Sequence, residues 1–325
     1  MKAVWYEKNG APRDVLVHGD METPRAAPGQ VLVRLAASGV NPSDVKSRRG
    51  RPLIAPRIVP HSDGAGTIEA VGEGVDAARI GERVWIWNGQ WKRPFGTAAE
   101  YIAVNEDQAV RLPDAVGFAE AACFGIPALT AIQALNHLGD VDGRTILVTG
   151  GAAAVGHYAT QIAVQRGARV LTTASPERAD HAASAGAADI IDYRSEDVAA
   201  RVKAATGGRG ADGIVDMDFS TTAGMLPDGI LAPHGTLVCY GSNVAADIPV
   251  SFPTLLWSNL TLRFFLVYEL TAAQRARAIA DLDAMLADGS LAHTIAARFP
   301  LADTAAAHEA VEAGRTIGNV VVEMG

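Results

Sequence analysis

The sequence predicts an α/β protein in which a doubly wound parallel sheet is inserted into a β-rich domain built from both ends of the chain. Three observations predict it. Short alternating apolar runs separated by Gly and Pro fill the chain to about residue 120, the rhythm of a β-rich domain. Strand-like and helix-like stretches then alternate from TILVTG to TLVCYG, as in a parallel sheet with crossover helices. Near Leu260 the pattern turns mixed again. The expected division is 1–123 and 266–325 for the β-rich domain and 124–265 for the inserted one.

Taken in order, KAVWYE, DVLVHGD, QVLVRLAASGV, AGTIEAVG, ERVWIW, AEYIAV and AVRLP read as strands. The segment LPDAVGFAEAACFGIPALTAIQALNHLG gives two helical stretches on either side of Ile126 and Pro127. Strand TILVTG leads into a helix ending near Arg166. ARVLTTA, a helix over ERADHAASAG, DIIDY, a helix over SEDVAARVKAATG, GIVDM and TLVCYG follow. TLRFFLVYE reads as a strand and AAQRARAIADLDAMLADG as a long helix, before AARFPLADTAAAHEAVEAG and NVVVEMG close the chain.

A length of 325 residues fits two domains. With 49% hydrophobic and 20% charged residues, a sizeable core forms readily. A net charge of -8 and a pI near 5.5 argue against nucleic acid or an anionic membrane surface as main partner; RPLIAPRIVP and SRRGR are local basic exceptions. Two cysteines, Cys123 and Cys239, far apart in the chain, exclude a disulfide framework and a cysteine-based zinc site. The N-terminal stretch has no apolar leader-like core, and no run is long enough to span a membrane, so a cytoplasmic location is expected.

The stretch ILVTGGAAAVGHYATQIA carries the first chemical signal. It is a β-branched run, a small-residue turn and a helix, the layout of a dinucleotide-binding unit. Gly151 and Gly156 hold the outer places of a G-x-G-x-x-G spacing, but Ala153 occupies the middle one. Ala154 and Val155 open the helix, whose free N–H groups and dipole favour phosphate. NAD-binding units place an acid about 20 residues past the glycines, on the ribose 2′-hydroxyl. Here the strand ends in Thr173, Ala174 and Ser175, with no acid at its tip. Ser175 and Arg178 are placed to bracket a 2′-phosphate, which favours NADPH.

The whole chain resembles the zinc-free medium-chain dehydrogenase/reductases, in the quinone oxidoreductase and zeta-crystallin branch. The resemblance rests on GVNPSDVKSRRG, PHSDGAGTIEAVGEGV, GTAAEYIAV, GIPALTAIQAL, TGGAAAVG, DIIDYRSED and the closing FPLADTAAAHEAVEAGRTIGNVVVEMG. It implies a Rossmann domain inserted in a GroES-like catalytic domain. Zinc-dependent cousins have ligands where this chain has Asn41, Ser62 with Asp63, and Ile126, so the resemblance implies no metal. His61, beside Asp63, reads as part of a structural hydrogen-bonding pair. Arg178 and Tyr193 match the family's 2′-phosphate positions. Asn41 and Asp44 match the nicotinamide side, with Thr130 nearby. Phe219, Gly241 and Ser242 follow successive strands and are expected at the cofactor edge, and Asn319 resembles a late cofactor contact. A homodimer is also implied, with TLVCYG and TLRFFLVYE as edge strands.

Without a metal to polarise an alcohol, hydride donation from NADPH to an electron-poor acceptor such as a quinone is the expected chemistry. Asn41 is then a candidate donor to the acceptor oxygen and Asp44 an orienter, with Trp87, Trp91, Phe265 and Tyr268 as candidate walls. Reduction of an activated double bond in an enone or enoyl substrate is the enzymatic alternative. It is weakened because VKSRRGRPLIAPRIVP lacks the tyrosine usual in enoyl reductases. Binding of NADPH in a structural or regulatory role, without turnover, is the non-enzymatic one. Arg48, Arg49 and Arg51 read as a solvated loop or a greeting for a substrate phosphate.

Overall fold

In the computed structural model, which describes residues Met1–Gly325, fifteen strands run in chain order. They are β1 (Lys2–Trp5), β2 (Val17–Asp20), β3 (Gln30–Val40), β4 (Asp63–Val71), β5 (Arg83–Ile86), β6 (Tyr101–Asn105), β7 (Ala109–Arg111), β8 (Thr145–Val148), β9 (Arg169–Ala174), β10 (Asp189–Asp192), β11 (Ala211–Asp216), β12 (Leu231–Cys239), β13 (Thr261–Phe264), β14 (Ile295–Pro300) and β15 (Asn319–Glu323). They fall into two units, Met1–Ile126 with His293–Gly325, and Pro127–Ala292.

The first unit is a mainly antiparallel sheet in the order β14-β15-β3-β4-β5-β7, with β6 also paired to β3 and a separate β1-β2 ribbon. Strand alternation decides its core. Val31, Val33 and Leu35 of β3 share one face and pack with Ile68, Val84, Ile86, Ile102 and Val104.

The second unit is a six-stranded sheet in the order β10-β9-β8-β11-β12-β13, all of whose pairs are parallel. Renumbered from β8, that order is 3-2-1-4-5-6, which reverses between β8 and β11 and opens a crevice at their carboxyl ends. Leu147, Leu171, Ile191, Ile214 and Leu237 are completely buried in it, as expected where helices cover both faces.

Two expectations need correction. The inserted unit runs not from 124 to 265 but from Pro127 to Ala292. Helix Ala272–Asp288 is fixed by a capping box, with Gln274 N–H on Thr271 Oγ1 at 3.2 Å and Thr271 N–H on Gln274 Oε1 at 3.0 Å. It buries Ala278, Leu282 and Leu286, and Asp281 accepts from Asn136 at 3.0 Å and pairs with Arg166 at 3.4 Å. A helical period alone does not tell which sheet a terminal helix covers. The second correction concerns the edges. TLVCYG is not an edge strand, since β12 pairs with β11 on one side and β13 on the other; the edges are β13 and β10.

Candidate cofactor groove and active-site cluster

In the second unit, a groove of about 570 Å³ lies at the carboxyl ends of β8, β9 and β11. Its floor is the turn after β8. Gly150 supplies the left-handed backbone at φ 71°, its N–H donates to Thr173 Oγ1 at 2.8 Å, and Gly151 N–H donates to Thr173 O at 3.0 Å. The G-x-G-x-x-G spacing assigns the tight turn to its first glycine, here Gly151; the positive φ belongs to Gly150. Gly151 is required for another reason, since a Cβ there would lie 1.9 Å from Thr172 Oγ1. A Cβ on Gly156 would meet Gly150 O at 2.1 Å, so this glycine lets the helix start press onto the turn. Ala153 sits at the helix N-cap with φ -82° and ψ 160°, a conformation any L-residue adopts, and it lines the groove. The missing middle glycine therefore causes no backbone strain. Ala154, Val155 and Gly156 follow as the first turn of helix Ala154–Gln165, where N–H groups have no partner inside the helix.

The groove wall at β9 and β10 brings together Ser175, Arg178 and Tyr193, as the sequence suggested, and Tyr193 is 53% exposed. Glu196 and Asp197 line the groove as well, whereas Glu177 does not; Glu177 is held at its edge. It accepts from Arg194 at 2.9 Å, and the Ser175 hydroxyl is the leading cause that holds its carboxyl below the usual range.

Sequence reasoning missed Thr149, Met217, Asp218 and Asn243 in the same groove. Thr149 Oγ1 donates to Asp216 Oδ1 at 2.9 Å and accepts Met217 N–H at 2.9 Å, locking the ends of β8 and β11 together. Asp218 accepts Asn243 N–H and Nδ2, both at 2.8 Å; burial acts to raise its carboxyl, but these bonds and those from Ser220 and Thr221 outweigh it and hold the carboxyl below its ordinary value. An aspartate just past a strand was the available signal.

Other expected contacts lie elsewhere. The Phe219 ring belongs to the core and meets Phe264 edge-on at 4.8 Å. Gly241 O accepts Phe219 N–H at 3.1 Å and Ser242 Oγ donates to Val244 O at 2.8 Å; neither residue lines the groove. Thr130 is buried in helix Leu129–Leu138. Asn319 belongs to the first unit, where its Nδ2 and N–H both donate to Thr294 O, at 3.2 and 2.9 Å.

The first unit carries a second cluster. Asn41 caps helix Pro42–Gly50, and its N–H donates to Asp44 Oδ2 at 2.8 Å. Its Nδ2 donates to Asp63 Oδ2 at 2.9 Å, and Ile126 N–H reaches the same oxygen at 3.1 Å. Asn41 is thus oriented by its own chain, with one of its two Nδ2 hydrogens on Asp63. Burial pushes Asp44 up to about 7, against hydrogen bonds from Asn41, and burial together with the Asp44 charge pushes Asp63 well up.

His61 does not pair with Asp63. It takes a left-handed backbone at φ 76°, and its Nδ1 shares a hydrogen bond with Ser38 Oγ at 2.9 Å while Nε2 meets His308 Nε2 at 2.9 Å. Arg48 is fully buried and paired with Glu312 and Gly10 O, so it belongs to no solvated loop. Among the proposed aromatic walls, Trp87 Nε1 donates to Asp107 O at 3.0 Å and Phe265 meets His137 edge-on at 5.2 Å.

A sheet in the order 3-2-1-4-5-6 inserted into a mainly antiparallel β unit, with a phosphate-type turn after its first strand, defines a medium-chain dehydrogenase/reductase. Comparison with known proteins agrees. Residues 27–114 match the alcohol dehydrogenase GroES-like domain and residues 185–322 a zinc-binding dehydrogenase domain. The quinone oxidoreductase of Pseudomonas aeruginosa is 32% identical over 328 residues, 99% of each chain, and that of Sus scrofa 30% identical over 317 residues, 95% of this chain and 93% of the relative. The crystal structure of Escherichia coli quinone oxidoreductase complexed with NADPH superimposes with a TM-score of 0.89 at 27% identity, covering 99% of this chain and all of that one. The chain belongs to the quinone oxidoreductase family of medium-chain dehydrogenase/reductases, and is an oxidoreductase.

Proposed function

We propose that the chain reduces quinones by hydride transfer from NADPH, without a metal. One observation carries the cofactor choice: the tip of β9 presents Ser175 and Arg178 with Tyr193 alongside, while Glu177, the acid next to Arg178 in the chain, is engaged by Arg194 and does not line the groove. A guanidinium and a hydroxyl suit a 2′-phosphate, where an acid would suit a 2′-hydroxyl. Gly151 and Gly156 let the turn pack tightly against Thr172 and Gly150, and the helix start that follows offers free N–H groups suited to a pyrophosphate. NADPH, once bound, supplies the hydride; the protein's task is to hold donor and acceptor in contact and exclude water. Asp63 and Asp44 fix Asn41 in one orientation beside them, and a quinone delocalises the incoming charge, so no strong acid is needed.

The residues present do not fit zinc. A matched domain is described as zinc-binding, but where the resemblance places the ligands of zinc-dependent relatives this chain has Asn41, Ser62 with Asp63, and Ile126. Asp63 Oδ2 already accepts two hydrogen bonds, the Ile126 side chain is apolar, and no three His, Cys, Asp or Glu residues converge anywhere. A zinc site needs at least three such protein ligands.

The second unit also exposes Phe252, Leu256, Trp257, Phe264 and Leu266 on and near edge strand β13. This apolar strip beside unpaired backbone groups suits a second copy across a two-fold axis. No helix is long and apolar enough to cross a membrane.

Loss of NADPH and NADH absorbance with a simple para-quinone tests the reading, in the wild type and in Arg178→Ala. Turnover should prefer NADPH, and the variant should raise KM for NADPH about tenfold while leaving NADH unchanged, since a charge-assisted hydrogen bond is worth about 1.5–3 kcal/mol. Equal use of both cofactors by the wild type refutes the role of Arg178. Absence of quinone turnover with either refutes the reaction.

A further inference from the structure

A cavity of about 480 Å³ opens on the first unit, walled by Met1, residues 20–25, Arg57, Val59, Arg93, Phe95, residues 101–103 and two small residues. None of the residues of the cofactor groove or of the Asn41 cluster lines it. Much of the wall is apolar, and Phe95 on it is 47% exposed. A concave, mainly apolar wall with a few polar groups is the usual form of a small-molecule site.

The charges on this wall are unequally satisfied. Asp20 is paired with Lys2 at 2.8 Å. Arg57 pairs with Glu7 at 2.9 Å and lies 4.7 Å from the centre of the Trp5 ring. Arg93 has no carboxylate partner: its Nη2 donates to Ala103 O at 2.7 Å, and burial pushes its guanidinium down with no neighbouring acid opposing the shift. Arginine keeps its charge in proteins, so this is a partly desolvated cation lacking a counter-ion. Glu22 and Arg25, both exposed, make no ion pair, and the Met1 ammonium donates to Met21 O at 2.9 Å, which leaves Arg93 as the partly buried cation without a counter-ion. A ligand that supplies one anionic group for Arg93 and an apolar body for the rest of the wall would satisfy both features.

We infer that this cavity binds a small organic carboxylate, with its anion on Arg93 and its apolar body against Phe95 and Met21. The site is independent of the reductase reading, and its readout is binding alone. Octanoate is the probe, titrated calorimetrically into the full chain at constant ionic strength, with inorganic phosphate as control. Octanoate should bind one-to-one. Arg93→Met, which keeps an apolar stem, should weaken it about tenfold or more. Phe95→Ala should weaken it severalfold, and Glu22→Gln should tighten it by removing a competing charge. Phe95 and Glu22 are surface positions, so those two variants decide the matter should Arg93→Met fail to fold. Failure of octanoate to bind, or binding unchanged across the variants, overturns the inference. Phosphate binding as tight as octanoate overturns it too, because the wall would then contribute nothing.

Discussion

Asn41 and Asp63 face each other across 2.9 Å, the amide Nδ2 donating to Asp63 Oδ2, and Ile126 N–H shares that oxygen. One carboxyl oxygen therefore satisfies two buried donors from two different segments. Asp63→Ala leaves both without a partner, and each buried unsatisfied group costs about 1–3 kcal/mol. We expect its urea midpoint to fall accordingly. Asp63→Asn keeps an acceptor oxygen and replaces a carboxyl already pushed toward its neutral form, so its midpoint should stay near the wild type. Equal losses in the two variants would refute a hydrogen-bonding role for that oxygen.

Asp44, buried and raised to about 7, gives stability a definite pH dependence. The folded protein keeps this proton to about pH 7, whereas the unfolded chain releases it near 3.8. Stability from this group is full below pH 4, is lost as pH rises from 4 to 7, and is level above that. Over that window the loss is about 4 kcal/mol at 1.36 kcal/mol per unit. Asp44→Asn should match the wild type in urea at pH 4 and exceed it by a few kcal/mol at pH 8. A variant no more stable than the wild type at pH 8 would show that Asp44 is not held protonated.

The turn after β8 separates two small residues by function. A Cβ on Gly151 would sit 1.9 Å from Thr172 Oγ1, while Ala153 already carries one without strain. Gly151→Ala should lower stability by about 2 kcal/mol through overpacking and weaken NADPH binding with it. Ala153→Gly should change the affinity less than threefold, read from a fluorescence titration. A large gain in Ala153→Gly would mean that the methyl obstructs the pyrophosphate after all.

At the sheet edge, Phe264 is 56% and Trp257 82% exposed. Phe264→Lys places a charge on the edge strand, a device that blocks edge pairing. Light scattering should show a wild-type dimer and a monomeric variant at the same concentration. A wild type that is itself monomeric would dispose of the proposed interface.

Much of the fold was legible because strand and helix periods differ: the runs around Val33, Ile68, Ile146 and Ile214 alternate or cluster in ways no surface loop does. The order of strands was less so. TLVCYG has the same composition as an edge or an interior strand, and only pairing on both sides of β12 tells them apart. At the site, the sequence brought Ser175, Arg178 and Tyr193 into one groove because they follow strand ends. It misassigned the turn glycine, since adjacent glycines look alike until one takes a positive φ. It also missed Asp63 as the partner of Asn41, because a contact across 22 positions between a helix cap and a strand start leaves no periodic trace.

The inserted unit interrupts a sheet that needs both ends of the chain. Val40 of β3 pairs with Val320 of β15, and β15 lies inside the sheet, between β3 and β14. As the chain emerges from the ribosome, all of Pro127–Ala292 is therefore available to fold while β3 still has an open flank. The nucleotide-type unit can ripen early on local contacts; the β-rich unit must wait for the last strand, and until then it is the half that a chaperone or a protease would find.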